Sequence, residues 1–144
     1  MAHTVAVTKL LEGPRHVVLH VYFRSDGISS DLNQFTLLDP HSDDLIKPLF
    51  VGQGQKGKPG LVVEEIVYDF AGFDASLQFD SGLINDNYIW VLPEGSSEKV
   101  DFRPFGGFKD RSGTDGSGKL QITTFGLLSV GDQGSMILKL RLAQ

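Results

Sequence analysis

Gly52-Gln53-Gly54-Gln55-Lys56-Gly57-Lys58-Pro59 is the segment that most suggests chemistry, because it matches parts of two phosphate-binding signatures. Gly52, Gly54 and Gly57 have the spacing of a dinucleotide fingerprint, and Gly52, Gly57 and Lys58 fit most of a P-loop. Both signatures work by opening a helix whose first amides hold phosphate. Here Pro59-Gly60 follows and leads into Leu61-Val62-Val63, a β-rich run. Proline also stands where a Ser or Thr hydroxyl would hold magnesium. No nucleotide site is expected.

The other candidate sites fail on geometry or on a missing partner. His16 and His20 have the i, i+4 spacing of a helical zinc motif, without its glutamate. Their segment is β-branched and alternating, so it should be extended, which puts the pair about 13 Å apart. A zinc ion needs each nitrogen at about 2.0–2.1 Å, so the pair cannot chelate one alone. Glu64 and Glu65 are adjacent on a predicted strand and should point to opposite faces, which separates them as an acid/base pair. Asp110, Ser112, Thr114 and Asp115 offer the donors of a calcium loop, but Gln121 stands where the bidentate Glu belongs. No serine lies in a Gly-x-Ser-x-Gly elbow. Tyr88 and Trp90 should share one strand face about 6.6 Å apart. That spacing suits a platform for sugar rings, but period-two aromatics are more often core residues, and core is the expectation. The sequence therefore predicts no catalytic residue, no metal ligand and no cofactor.

The elements that would position any site are strands. Residues 15–24 and 135–142 alternate with a period of two: Met136, Leu138, Leu140 and Leu142 share one face, and Ser135, Lys139 and Arg141 the other. Further strands are expected at 4–10, 32–38, 61–70, 75–80, 87–92, 99–102 and 119–125. Gly13-Pro14, Asp26-Gly27, Ala71-Gly72, Ser81-Gly82, Glu94-Gly95 and Gly131-Asp132 punctuate them with turn chemistry. No helical stripe competes. The predicted fold is all-β, an antiparallel β-sandwich or a barrel-like, jelly-roll-like single domain with long loops.

A chain of 144 residues suggests one domain, residues 1–144, able to fold without staples. It has no cysteine, which removes thiolate chemistry and disulfides and fits a reducing compartment. A formal net charge of −5 argues against general nucleic-acid binding. Neither a signal peptide nor a membrane-spanning run is visible, so the expectation is a soluble, intracellular protein.

Two segments break the strand rhythm. Residues 40–60 hold three prolines and four glycines around the short apolar run Leu49-Phe50-Val51, and read as an extended loop or arm. In 103–118, Pro104-Phe105-Gly106-Gly107-Phe108 sets bulky aromatics on a glycine-rich loop, where they fold back or meet a partner.

Four stretches, taken in order, carry a family resemblance. They are Gly13-Pro14-Arg15-His16-Val17-Val18; Asp101-Phe102-x-x-Phe105-Gly106-Gly107; Lys119-Leu120-x-Ile122-x-Thr124-x-Gly126; and Gly131-Asp132-x-Gly134-Ser135-Met136-Ile137-Leu138-Lys139-Leu140-Arg141. Together they resemble small virion proteins of tailed bacteriophages, especially environmental and marine ones. The resemblance implies a capsid cement (decoration) protein on the outside of the shell, commonly trimeric. Its partners would be the major capsid protein and itself, as a homotrimer, with no nucleic acid and no membrane. It would be assembled in the host bacterial cytoplasm and reside on the capsid surface. Interfaces of that kind lean on a few aromatic and arginine anchors, and Phe102, Arg103, Phe105, Phe108, Leu49 and Phe50 are the candidates. A head–tail joining or tail component is the nearest rival. A carbohydrate-binding module resting on Tyr88 and Trp90 is the rival from another class.

Overall fold

The protein, as a computed structural model, is described here for residues 3–12, 16–40, 61–80, 87–109 and 119–142. Ten strands organise them: β1 (Thr4–Glu12), β2 (His16–Arg24), β3 (Phe35–Leu38), β4 (Leu61–Ala71), β5 (Asp74–Phe79), β6 (Asn87–Leu92), β7 (Gly95–Asp101), β8 (Phe108–Lys109), β9 (Leu120–Phe125) and β10 (Gln133–Leu142). They form two antiparallel sheets. The larger runs β1-β2-β10-β4-β7, with β8 also paired to β4, and the smaller runs β3-β9-β5-β6. Among the described residues the two sheets do not close on each other, so of the expected architectures the sandwich is the one found and the closed barrel is not.

Alternation builds the interior. Along β2, Val17, Leu19, Val21 and Phe23 are buried, while His16, His20 and Arg24 are exposed. Met136, Leu138 and Leu140 of β10 are fully covered, as their spacing predicts. β10 lies between β2 and β4, so the last strand of the chain completes the middle of the larger sheet. From the smaller sheet, Ala75, Leu77, Phe79, Leu120 and Ile122 join the same cluster. Gly134 sits in β10 because a Cβ there would come within 2.6 Å of the Phe70 ring. Its bare backbone makes room for Phe23, Phe70 and Phe73, whose rings pack edge-on and stacked at 4.7–6.0 Å.

Carboxylates tie the turns at one end of the sandwich. Asp31 accepts hydrogen bonds from the Gly126 and Leu127 amides and the Thr124 hydroxyl, at 2.8–3.0 Å. Asp26 accepts the Ile28 and Ser29 amides and the Ser29 hydroxyl, which hold its carboxyl well below the usual carboxylate range, the Ser29 hydroxyl foremost. His3 Nε2 donates to the Ser30 carbonyl at 2.8 Å, and its Nδ1 accepts the Asp26 amide at 3.2 Å. His3 Nδ1 also approaches Asp26 Oδ1, at 3.5 Å.

Most strand ends fall within two residues of the sequence expectation, and two starts fall further away. β3 begins at Phe35 rather than 32, because the Leu32 and Gln34 amides bond to the Thr124 and Thr123 hydroxyls instead of a ladder. β7 starts at Gly95 rather than 99, because Gly95 already pairs with Phe70 of β4, directly after a turn in which Asp74 Oδ1 accepts the Glu94 amide at 2.6 Å. The two-residue β8 was not expected at all.

Candidate docking surface

One edge of the larger sheet is interrupted. Asp101 of β7 lies opposite Glu65 of β4, and Phe108 of β8 lies opposite Val63, so β7 and β8 line the same strand. Residues 102–107 leave the sheet between them. The Phe102 amide still donates to the Glu64 carbonyl at 2.8 Å, and the Phe102 carbonyl accepts the Phe105 and Gly107 amides at 3.0 and 2.9 Å. The excursion is therefore a loop closed on its own base, with one 3-10 turn over Arg103–Phe105. Gly107 is required: its φ is +85°, and a Cβ there would meet Val62 Cγ1 at 2.4 Å. Arg141 Nη2 clamps the loop by donating to the Gly106 carbonyl at 3.1 Å.

The structure separates the four loop residues into different roles. Phe102 is only 7% exposed and belongs to the core cluster. Its ring meets Trp90 and Phe108 edge-on, at 5.4 and 5.7 Å between centroids. Phe108 is half-buried against the same core. These two fold back rather than standing clear of the molecule: the loop closes tightly enough that the Phe102 ring falls inside and the Phe108 ring packs half-buried against it. Phe105 is 85% exposed. Arg103 donates from Nε to Asp101 Oδ1 at 2.9 Å and from Nη2 to Asp101 Oδ2 at 3.0 Å and Glu65 Oε2 at 2.8 Å. The side-chain hydrogen bond from Arg103, with its backbone amide adding to it, pulls the Asp101 carboxyl down to about 2, and the same contact raises Arg103. Arg103 thus holds the loop in place, and the aromatic it leaves outside is Phe105. Leu49 and Phe50, with the rest of 41–60, lie outside the described residues, as do Gly52–Pro59 and the calcium-like loop at 110–115.

Glu64 and Glu65 share the outer face of the sheet, contrary to the alternation rule. The β4–β10 register shifts between Lys139 and Leu140, which pairs Glu65 with Lys139 and Val63 with Leu140 and leaves Glu64 as the extra residue. A bulge of this kind turns two consecutive side chains to one side. Glu65 is 3% exposed and is ringed by Arg103 at 2.8 Å, Lys139 at 3.6 Å and Lys99 at 3.7 Å. Glu64 is met by His16 at 3.5 Å and Arg141 at 3.6 Å. The buried carboxylate is compensated by cations from β7, the loop and β10, so the network clasps these elements across the sheet.

A second bulge corrects the reading of Tyr88 and Trp90. The β5–β6 register sets Trp90 opposite buried Leu77 and Tyr88 opposite Gln78, with Ile89 as the extra residue. The two aromatics therefore point to opposite faces, and neither is core: Tyr88 is 56% and Trp90 47% exposed. The shared platform for sugar stacking is not formed. His16 and His20 do lie on an extended strand, both exposed, as the alternation predicts. Among the described residues, no group of three or more His, Asp or Glu could hold a metal ion, and no helix is long and apolar enough to cross a membrane.

Compared with known protein families, with curated proteins and with solved structures, the chain matches none.

Proposed function

We propose that this chain is a non-enzymatic virion structural protein, a cement protein that binds the outer surface of a tailed-phage head and stabilises it. The observation that carries the reading is Phe105, a large apolar ring held 85% exposed on a loop fixed by its own hydrogen bonds, by Arg103 and by Arg141. Pre-ordering removes most of the entropic cost of seating such a ring in a pocket on another protein. A rigid sandwich below it suits a part that resists mechanical load. The partners in this reading are the major capsid protein and further copies of the chain, three-fold in the proteins it resembles.

The test is binding to purified, undecorated capsids, with Phe105→Ser beside the wild type. The reading expects saturable binding at a copy number comparable to that of the major capsid protein, weakened by the substitution at unchanged melting temperature. A low copy number confined to one vertex would support the head–tail component instead. Absence of binding to capsids at virion-like concentrations would overturn the cement reading.

A further inference from the structure

The outer face of the larger sheet is not flat. Tyr22, Ser135 and Asp69 stand side by side across β2, β10 and β4 in one register row. Neighbouring strands lie about 4.7–4.9 Å apart, so the Tyr22 and Asp69 backbones are roughly 9.5 Å from each other. Only the small Ser135 fills the space between them. Two depressions, of about 130 and 290 Å³, meet at Ser135 and Asp69. One reaches past Ile137 to His20, the other past Ala71 to Tyr22 and Gln133. The groove thus follows β10 from residue 133 to residue 137, about 13 Å of strand. Its larger half approaches the lower end, roughly 300 Å³, of ligand pockets.

The polar groups along this groove have bonding capacity to spare. Tyr22 Oη donates to Gln133 Oε1 at 3.3 Å, which orients the amide and leaves the Gln133 Nε2 hydrogens without a partner among the described residues. Within the same residues, the Asp69 carboxylate, the Ser135 hydroxyl and the His20 ring have no hydrogen-bond or ion-pair partner either.

We infer that this groove binds an uncharged saccharide, with one sugar ring over Ser135 between Tyr22 and Asp69. A sugar ring offers an apolar C–H face to the Tyr22 ring, and each of its hydroxyls both donates and accepts. Asp69 accepts from two hydroxyls, Gln133 Nε2 donates to another, and Ser135 does either. Other ligand classes leave part of this set unanswered. A phosphate or carboxylate meets the charge of Asp69. An ammonium group suits Asp69 and Tyr22 but brings no acceptor for Gln133. The length of the groove admits a further sugar toward His20. The site lies on the opposite sheet from Tyr88 and Trp90. Gln133 is also about 26 Å along β10 from Arg141, which holds the Phe105 loop. The saccharide site goes beyond the capsid reading and stands or falls separately from it.

The test is an array of immobilised neutral oligosaccharides (glucans, mannans, galactans and xylans) probed with the full chain and with Tyr22→Ala, Asp69→Ala and Tyr88→Ala. Melting curves establish that each variant is folded, and Asp69→Ala, at an exposed position, decides the matter if Tyr22→Ala is not. The wild type should bind at least one class of saccharide. Asp69→Ala should weaken that binding about tenfold, the loss expected when a hydrogen bond to a charged group is removed. Tyr22→Ala should weaken it at least as far, and Tyr88→Ala should leave it unchanged. Added salt should have no effect, because the ligand carries no charge to screen. Absence of binding to every saccharide on the array, binding that survives both groove substitutions, or binding lost in Tyr88→Ala would overturn the site. So would Asp69-dependent binding of spermidine tighter than that of any saccharide, which would mark an amine site. Capsid binding, measured separately with Phe105→Ser, would be untouched by any of these results.

Discussion

Truncating Phe102 and Phe105, three residues apart on one loop, should give opposite results. Phe102 is 7% exposed and wedged between Trp90 and Phe108, whereas Phe105 is 85% exposed. Phe102→Ala removes a buried ring that the closed loop cannot easily replace, so the loss should be about 3–5 kcal/mol. Part of that comes from the two edge-on ring contacts, each worth about 0.5–1.5 kcal/mol beyond area. Phe105→Ala should change stability by no more than about 0.5 kcal/mol, as for other surface sites. Trp90 is the only tryptophan and sits 5.4 Å from the Phe102 ring, so its fluorescence reports directly on this end of the molecule. With a urea m-value near 2 kcal/mol/M, the Phe102→Ala midpoint should fall by roughly 2 M. Its folded-state emission should also shift to longer wavelength as water reaches the indole. Phe105→Ala should superimpose on the wild type in both readouts. Equal midpoints for the two variants, or a larger loss at Phe105, would refute the assignment of Phe102 as seal and Phe105 as offered anchor.

Leu138 is fully buried at the centre of β10, and Leu138→Ala should cost about 2–5 kcal/mol in chemical denaturation; a loss below half of one would show that the two faces of β10 are reversed. Asp101 has a lower pKa in the folded chain, about 2, than its ordinary value of 3.8, so the stability it contributes is complete above that ordinary value and is lost as pH falls toward 2. Melting temperatures of the wild type and Asp101→Asn should therefore converge between pH 5 and pH 2, roughly the window linkage assigns to such a carboxylate; a constant gap across that range would show that the Asp101–Arg103 contact does not titrate this way.

The all-β class and the buried rows of β2 and β10 were legible in the sequence, because a strand's side-chain period of two depends only on local backbone geometry. Turn residues such as Asp26-Gly27 and Ala71-Gly72 marked strand ends for the same local reason. The sequence also showed that aromatics and glycines share the 103–108 loop. Which aromatic faces water was decided only in three dimensions, when the Phe102 carbonyl gathered two amides and turned its ring and that of Phe108 onto the core. The pairing of Glu64 with Glu65 on one face, and the parting of Tyr88 from Trp90, escaped the period-two rule. Each depends on a bulge, and a bulge is set by register against a partner strand, β10 from the far end of the chain for β4 and the preceding strand β5 for β6. Likewise, nothing local distinguishes β1 from β2 as strands. Only the sheet order, with β10 arriving from the end of the chain to occupy the other side of β2, places β1 at the end of the strand order among the described residues.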